Sequence, residues 1–227
     1  MRLKRPEVIL AGLAFAKESN PRDEFFVLNF NNSVVRGLPD RTLFTDDLQS
    51  LRTALYWGQP VGQTALYDAI AYGLHHLQFS HREKRTLIVV SDGGDNVSKT
   101  NLVKLTELIA ASRATIYTIG LYDPDDRSLN RSGLRRIASS TGGSYYEPNS
   151  LREIVPVFDE ISRSIRNSYT IGFVPDEVNN KRTVRSVKVL TQVNGRKLDV
   201  HSRNTFSITA QPDSAAQVAV TAEGTKR

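Results

Sequence analysis

The chain contains no cysteine, and only one tryptophan and one methionine, in 227 residues. Without thiols it has no disulfide, no thiolate zinc site and no cysteine nucleophile. Long apolar runs are missing too: the longest, residues 8–16, is too short to cross a bilayer, so no membrane span is expected. Neither a G-x-G-x-x-G turn nor a Walker lysine loop follows any strand, which removes the usual phosphate cradles, and no G-x-S-x-G marks a serine hydrolase. Histidine is scarce. His75 and His76 are adjacent and so point about 100° apart on a helix, poor spacing for zinc; with His81 they read as surface residues.

What remains, 39% apolar and 24% charged residues, is the balance of a soluble globular protein long enough to bury a full core. The formal charge of +6 would suit an anionic partner. Its cations are scattered, however, from Arg2, Lys4 and Arg5 through Arg82, Lys84 and Arg85 to Arg163 and Arg166, and no aromatic residues interleave with them as a stacking platform requires. Nucleic acid is therefore not expected. Residues 1–16 imitate a secretion signal, with a basic start, an apolar middle and Ala14-Phe15-Ala16 at the end. Pro6 in a first turn, Glu7 at the positive end and apolar pairs at helical spacing fit an amphipathic helix better.

Residues 86–96 organise the rest: Thr-Leu-Ile-Val-Val-Ser, then Asp92, a glycine pair, Asp95 and Asn96. A Val/Ile run ended by turn residues is the sequence form of a strand buried on both faces in the middle of a parallel sheet. Asp92 then stands just past the carboxyl end, where open parallel sheets bind ligands. Before this strand the chain reads as a helix over 6–19, a buried strand over 24–30 and an antiparallel edge strand over 33–37. A helix on Leu48, Leu51 and Leu55, capped within Thr45-Asp46-Asp47, and one on Leu66, Ile70, Leu74 and Leu77 complete that half.

After residue 96 come a helix on Leu102, Leu105 and Ile109, a strand over 114–121, and an acidic loop over 122–127 that reads as solvated rather than as a calcium loop. A short helix ended by Gly142-Gly143 as a C-cap, a strand over 144–146 and a helix on Ile154, Phe158, Ile161 and Ile165 follow. This alternation specifies right-handed crossovers, hence a Rossmann-like, doubly wound, mainly parallel α/β sheet with helices on both faces. From Tyr169 the pattern turns to β, with strands over 169–174, 184–193 and 197–201, the last two joined by the hairpin signal Asn194-Gly195. The expected division is an α/β domain over 1–168, an antiparallel β extension over 169–208 and a disordered tail over 209–227.

The string Gly62-Gln63-Thr64-Ala65-Leu66-Tyr67-Asp68-Ala69, paired with a later apolar strand ending in Asp92-Gly93-Gly94-Asp95-Asn96, resembles the von Willebrand factor A type domain. The helix end I-S-R-x-x-R-N-x-Y at residues 161–169, followed by a β extension, is similar to a bacterial group of these proteins. The resemblance implies that Thr64 and Asp92 help hold a divalent cation such as Mg2+ at a metal-ion-dependent adhesion site, with an acidic residue of a protein ligand completing the shell. Asp95 fits the pattern without an assigned metal role. On position alone, Thr64 reads first as the N-cap of the following helix, and only the whole string over 62–69 brings the ligand reading level with it.

The family's third loop, D-x-S-x-S at the end of the first strand, is absent from this sequence. The resemblance therefore implies an impaired metal site and a sheet whose first, central strand, between residues 25–30 and 87–91, is missing, leaving two interior ladders without a partner. Since the family often reads D-x-S-G-S-M, the chain is expected to be an incomplete domain beginning at the methionine after the motif. The implied function is a non-catalytic, adhesion-type protein-binding module in an extracytoplasmic location. The alternatives are a metal-independent scaffold and, further off, a phosphoryl-transfer or hydrolytic enzyme using Asp92.

Overall fold

The computed structural model describes residues 4–58, 62–92, 94–122, 131–172, 184–193, 195–198 and 200–207. Pro6 in the first turn and Glu7 near the positive end start α1 (Arg5–Glu18). The hairpin β1 (Leu28–Phe30) and β2 (Val34–Arg36) follows. Next is α2 (Leu48–Tyr56), begun by Asp47, whose carboxylate accepts the Ser50 N–H at 2.7 Å. At the other end of α2, the Arg5 guanidinium donates to the carbonyls of Leu55 at 3.0 Å and Gly58 at 2.6 Å. That places a cation on the negative helix terminus.

The central part comprises α3 (Leu66–His76), β3 (Thr86–Ser91), α4 (Leu102–Ala111), β4 (Thr115–Gly120), α5 (Arg131–Ser140), β5 (Tyr145–Tyr146) and α6 (Ile154–Arg166). The strands β3, β4 and β5 lie side by side in that order and all parallel. The two-residue period of β4 divides the core. Ile116 enters a cluster with Leu66, Ile70 and Leu74 of α3, Leu105 of α4 and Leu134 of α5. Tyr117 and Ile119 point the other way, to Ala11 of α1 and Ile154, Phe158 and Ile161 of α6. Helices thus cover both sheet faces, the α/β architecture that the alternating pattern implies.

The α5 terminus behaves as expected of Gly142-Gly143. Gly142 has φ +82°, and the N–H groups of Gly142 and Gly143 donate to the carbonyls of Ser139 (3.3 Å) and Ala138 (3.1 Å). This pair of bonds, 5→2 and 6→1, is a Schellman motif.

Three expectations are corrected. First, β3 is an edge strand of the described sheet rather than its middle, and Thr86, Leu87, Ile88 and Val90 are only half-buried; the fully enclosed strand is β4. The strand expected over 24–30 contracts to β1 and an isolated Phe25–Thr45 bridge. Both changes have one cause: a void of about 1280 Å³ lies between β1 and β3, and no described strand occupies it.

Second, His76 is buried, 4% exposed, among Phe26, Phe44 and Phe79, with its Nε2 2.8 Å from the Leu43 carbonyl. It lies three residues after Gly73 and seven after Ala69, on the face that α3 turns inward.

Third, the β extension is more broken than its sequence suggests. Residues 169–172 form no strand, with Tyr169 and Ile171 92% and 71% exposed. The run 184–193 splits into β6 (Val184–Ser186) and β7 (Thr191–Val193). The Gly195 turn, φ +78°, joins β7 to β8 (Arg196–Leu198) as expected, while β9 (Thr205–Ser207) pairs with β6. Arg203 ties this region to the sheet by donating to the carbonyls of Ala114 (2.8 Å) and Ile109 (3.2 Å). The readings on residues 123–127, 173–174 and 209–227 lie outside the described residues.

Candidate functional site

Two loops meet at the carboxyl end of β3, one before α3 and one after β3. The Thr64 N–H donates to Asn96 Oδ1 at 2.7 Å and the Asn96 N–H returns to the Thr64 carbonyl at 3.1 Å. The N-cap of α3 is Ala65, with no side-chain cap of its own, so the capping reading of Thr64 is not what the structure uses. The first-turn N–H groups that a helix leaves orphaned are instead met from the other loop. Asp95 Oδ1 accepts from Tyr67 N–H at 3.0 Å, and Ser98 Oγ accepts from Asp68 N–H at 3.0 Å while its hydroxyl donates to Asp95.

Asp68 completes the exchange. Its two carboxylate oxygens accept from the N–H groups of Lys99 (2.9 Å) and Thr100 (2.8 Å). The half-exposed side chains of Thr64 and Asp92 line the same end of the void between β1 and β3. Sequence reasoning placed Thr64 and Asp92 together but missed that Asp68, Asp95, Asn96 and Ser98 fasten the two loops. The signal available was the Asp-x-x-Ser spacing of 95 and 98, three apart as in a helix cap.

A polar cluster sits beside this end at β5. Tyr145 donates to Glu147 at 2.7 Å, Arg131 pairs with Glu147 at 2.6 Å, and the Arg131 guanidinium lies 4.8 Å from the Tyr122 ring centre. Burial, and the hydrogen bonds to Tyr122 and Glu147, push the Tyr145 hydroxyl well above the ordinary phenol range.

No family model matches the sequence, and no curated protein matches it. Solved structures do. A von Willebrand factor type A protein from Catenulispora acidiphila superposes with a TM-score of 0.62 at 16% identity, covering 72% of this chain and 38% of that one. The vWF domain of the type V pili tip protein Mfa5 from Porphyromonas gingivalis gives 0.59 at 15% identity, over 76% of this chain and 92% of that one. The proximal thread matrix protein 1 of the mussel byssus, with a zinc-occupied MIDAS motif, gives 0.55 at 14% identity, over 72% and 43%.

The chain has a von Willebrand factor A-type fold.

It spans well under two thirds of the Catenulispora and mussel chains, and at these identities the likeness is one of architecture. Whether its residues suit a hard divalent cation is a matter of donors. A hard divalent ion such as magnesium takes six oxygens in near-octahedral order. In this chain Thr64 and Asp92 stand at the rim, and Asp95 accepts from the Tyr67 N–H and the Ser98 hydroxyl. Among the described residues no group of three or more His, Asp or Glu side chains is placed to hold a metal. The described residues do not make up a complete cation site.

The clasp itself titrates. Partial burial raises the Asp68 pKa, but hydrogen bonds from Thr100 and Lys99, with the Lys99 charge, outweigh it and hold the carboxyl below the ordinary aspartate value. A depressed folded-state pKa stabilises the fold above the unfolded value, near 3.9, and this contribution disappears as pH falls through the folded value. Asp68→Asn keeps one acceptor and turns an amide N–H toward a backbone donor, so it should cost about 1–2 kcal/mol at pH 7. Urea unfolding at pH 7 and pH 3 checks this: the gap between wild type and variant should narrow at pH 3.

Proposed function

We propose that the chain is a non-catalytic, adhesion-type protein-binding module that engages its ligand at the carboxyl end of β3. The observation that carries this reading is the clasp between the Thr64 and Asn96 loops, which holds Thr64 and Asp92 at one rim with their side chains still partly open. A rim of this kind is stiff enough to bind without reordering, which lowers the entropy opposing association. The architecture, shared with a pilus-tip domain and a byssus matrix protein, supports the binding class. An extracytoplasmic setting belongs to the same reading. The ligand is a protein presenting an acidic residue, and Thr64 with Asp92 form a partial cation site that holds magnesium only weakly.

Peptides selected from a display library on the folded chain test the location. Asp92→Arg and Thr64→Arg should each weaken binding at least tenfold, whereas Lys104→Glu on α4 should leave it unchanged. Binders indifferent to both rim changes would remove the site. Magnesium tests the cation part: with a dissociation constant above about 10 mM, 5 mM magnesium should raise the melting temperature by less than about 1 °C. A larger shift that saturates below 1 mM and vanishes in Asp92→Ala would show a working cation site instead.

A further inference from the structure

The chain's single tryptophan stands in the open. Trp57, the C-cap of α2, is 58% exposed and Tyr56 beside it 54%. A large ring left in water adds little to the fold, and tyrosine and tryptophan collect where a surface meets a partner. The two rings line a cleft of about 450 Å³ together with Gln49, Arg52 and Thr53, a volume within the range of about 300–1,000 Å³ found for small-ligand sites. Positions 49, 52, 53 and 56 form one stripe along the helix. Leu51, Ala54 and Leu55 take the opposite, inward side of α2, and none of the five cleft residues borders the void between β1 and β3. The cleft is thus built without any wall of that void.

Its polar lining is specific in what it leaves open. Within α2 the Thr53 hydroxyl donates to the Gln49 carbonyl at 3.0 Å, so its oxygen is left to accept. Among the described residues, the Gln49 amide, the Arg52 guanidinium, the Tyr56 hydroxyl and the Trp57 indole N–H have no protein partner. The frame beneath them is held: Trp57 N–H donates to the Thr53 carbonyl at 3.1 Å, and Arg5 reaches the carbonyls of Leu55 and Gly58 at the end of α2. A surface already ordered loses little freedom on binding. The set selects its ligand. Ring faces take apolar C–H surface, an oxygen left to accept calls for O–H or N–H donors, and an unpaired guanidinium calls for an anion, met best by the two oxygens of a carboxylate. A proline-rich peptide suits the rings, but its imides have no N–H to give. A sugar ring offers both a C–H face and hydroxyls that donate and accept.

We infer that this cleft is a glycan-binding site for a polymer of uronic acid residues. One sugar ring lies against Trp57 and Tyr56, its hydroxyls bond to Thr53 Oγ1 and the Gln49 amide, and a carboxylate pairs with Arg52. The site shares no residue with the rim at the carboxyl end of β3 and does not rest on that reading.

The test uses the intact chain and hexagalacturonate, with maltohexaose as the neutral control. Because Trp57 is the only tryptophan, its fluorescence reports on the cleft alone. The acidic oligomer should change it saturably, with a dissociation constant of roughly 0.1–1 mM. Tyr56→Ala and Arg52→Gln both lie at exposed positions and leave the reporter in place; each should weaken binding about tenfold. The neutral oligomer should bind about tenfold more weakly than the acidic one and be indifferent to Arg52→Gln. Equal binding of the two oligomers overturns the uronate assignment. No saturable change below about 10 mM overturns the site, and so does binding that neither substitution weakens. A fluorescence change produced by a proline-rich decapeptide but not by hexagalacturonate would give the cleft to a polypeptide and overturn the inference as well.

Discussion

Gly143→Ala should leave little or no cooperatively folded protein. A Cβ at this position would overlap the Ile116 carbonyl oxygen, stand 2.7 Å from its carbon, and lie 3.3 Å from Thr115 Cγ2. Ile116 belongs to β4, whose main chain is held by β3 on one side and β5 on the other. Its N–H is also engaged, donating to Thr141 Oγ1 at 2.8 Å. No rotamer relieves such an overlap, because the obstacle is backbone. Overpacking in a well-packed interior commonly costs about 1–3 kcal/mol; against an immobile carbonyl about 3 kcal/mol or more is expected. That is a large share of a total of about 5–15 kcal/mol. Urea titration followed by circular dichroism should show a midpoint lowered by more than about 1 M, or no transition. Gly195→Ala is the control. Unlike Gly143, Gly195 needs alanine to accept a left-handed φ, but nothing lies within 4 Å of the added carbon, so a loss of about 1–2 kcal/mol is expected.

The second large effect is a contrast between neighbours. Ile119 of β4 and Ile88 of β3 both join the cluster facing α1 and α6. Ile119 is 0% exposed, and Ile119→Ala should remove about 3 kcal/mol by combining lost burial with a new cavity. Ile88 already borders the void. Truncating it enlarges an existing space instead of opening one in dense packing, so Ile88→Ala should cost roughly 1 kcal/mol. Denaturant unfolding of the two variants measures the difference. Equal losses would mean that the void is closed in solution.

Much of this architecture was legible because helix stripes and buried strands leave periodic traces. The positions Leu66, Ile70, Leu74 and Leu77 are all buried, and the Asn194-Gly195 and Gly142-Gly143 signals each mark the turn they promise. The absence of a D-x-S-x-S loop likewise pointed to the place where the sheet is open. What the pattern hid was environment. An apolar run such as 86–90 looks the same whether packed on both sides or bordering a void, because hydropathy records transfer preference and not the neighbours available. His76 was misjudged for a related reason: its type suggests the surface, while its place on the α3 period puts it among aromatic rings. At the site, Thr64 and Asp92 were named by resemblance, whereas Asp68, Asp95, Asn96 and Ser98 act through bonds spanning about thirty residues, whose partners the local Asp-x-x-Ser spacing does not identify.

That fastening also has a mechanical meaning. The Thr64–Asn96 pair, Asp95 on Tyr67 and the two bonds to Asp68 lie in parallel between one loop and the first turn of α3. A tug on the loop after β3 is therefore shared among several short bonds and passed into the long axis of α3, bypassing the half-open edge of β3. Tension on a bound partner would load a helix buried in the core before it could peel the strand that borders the void.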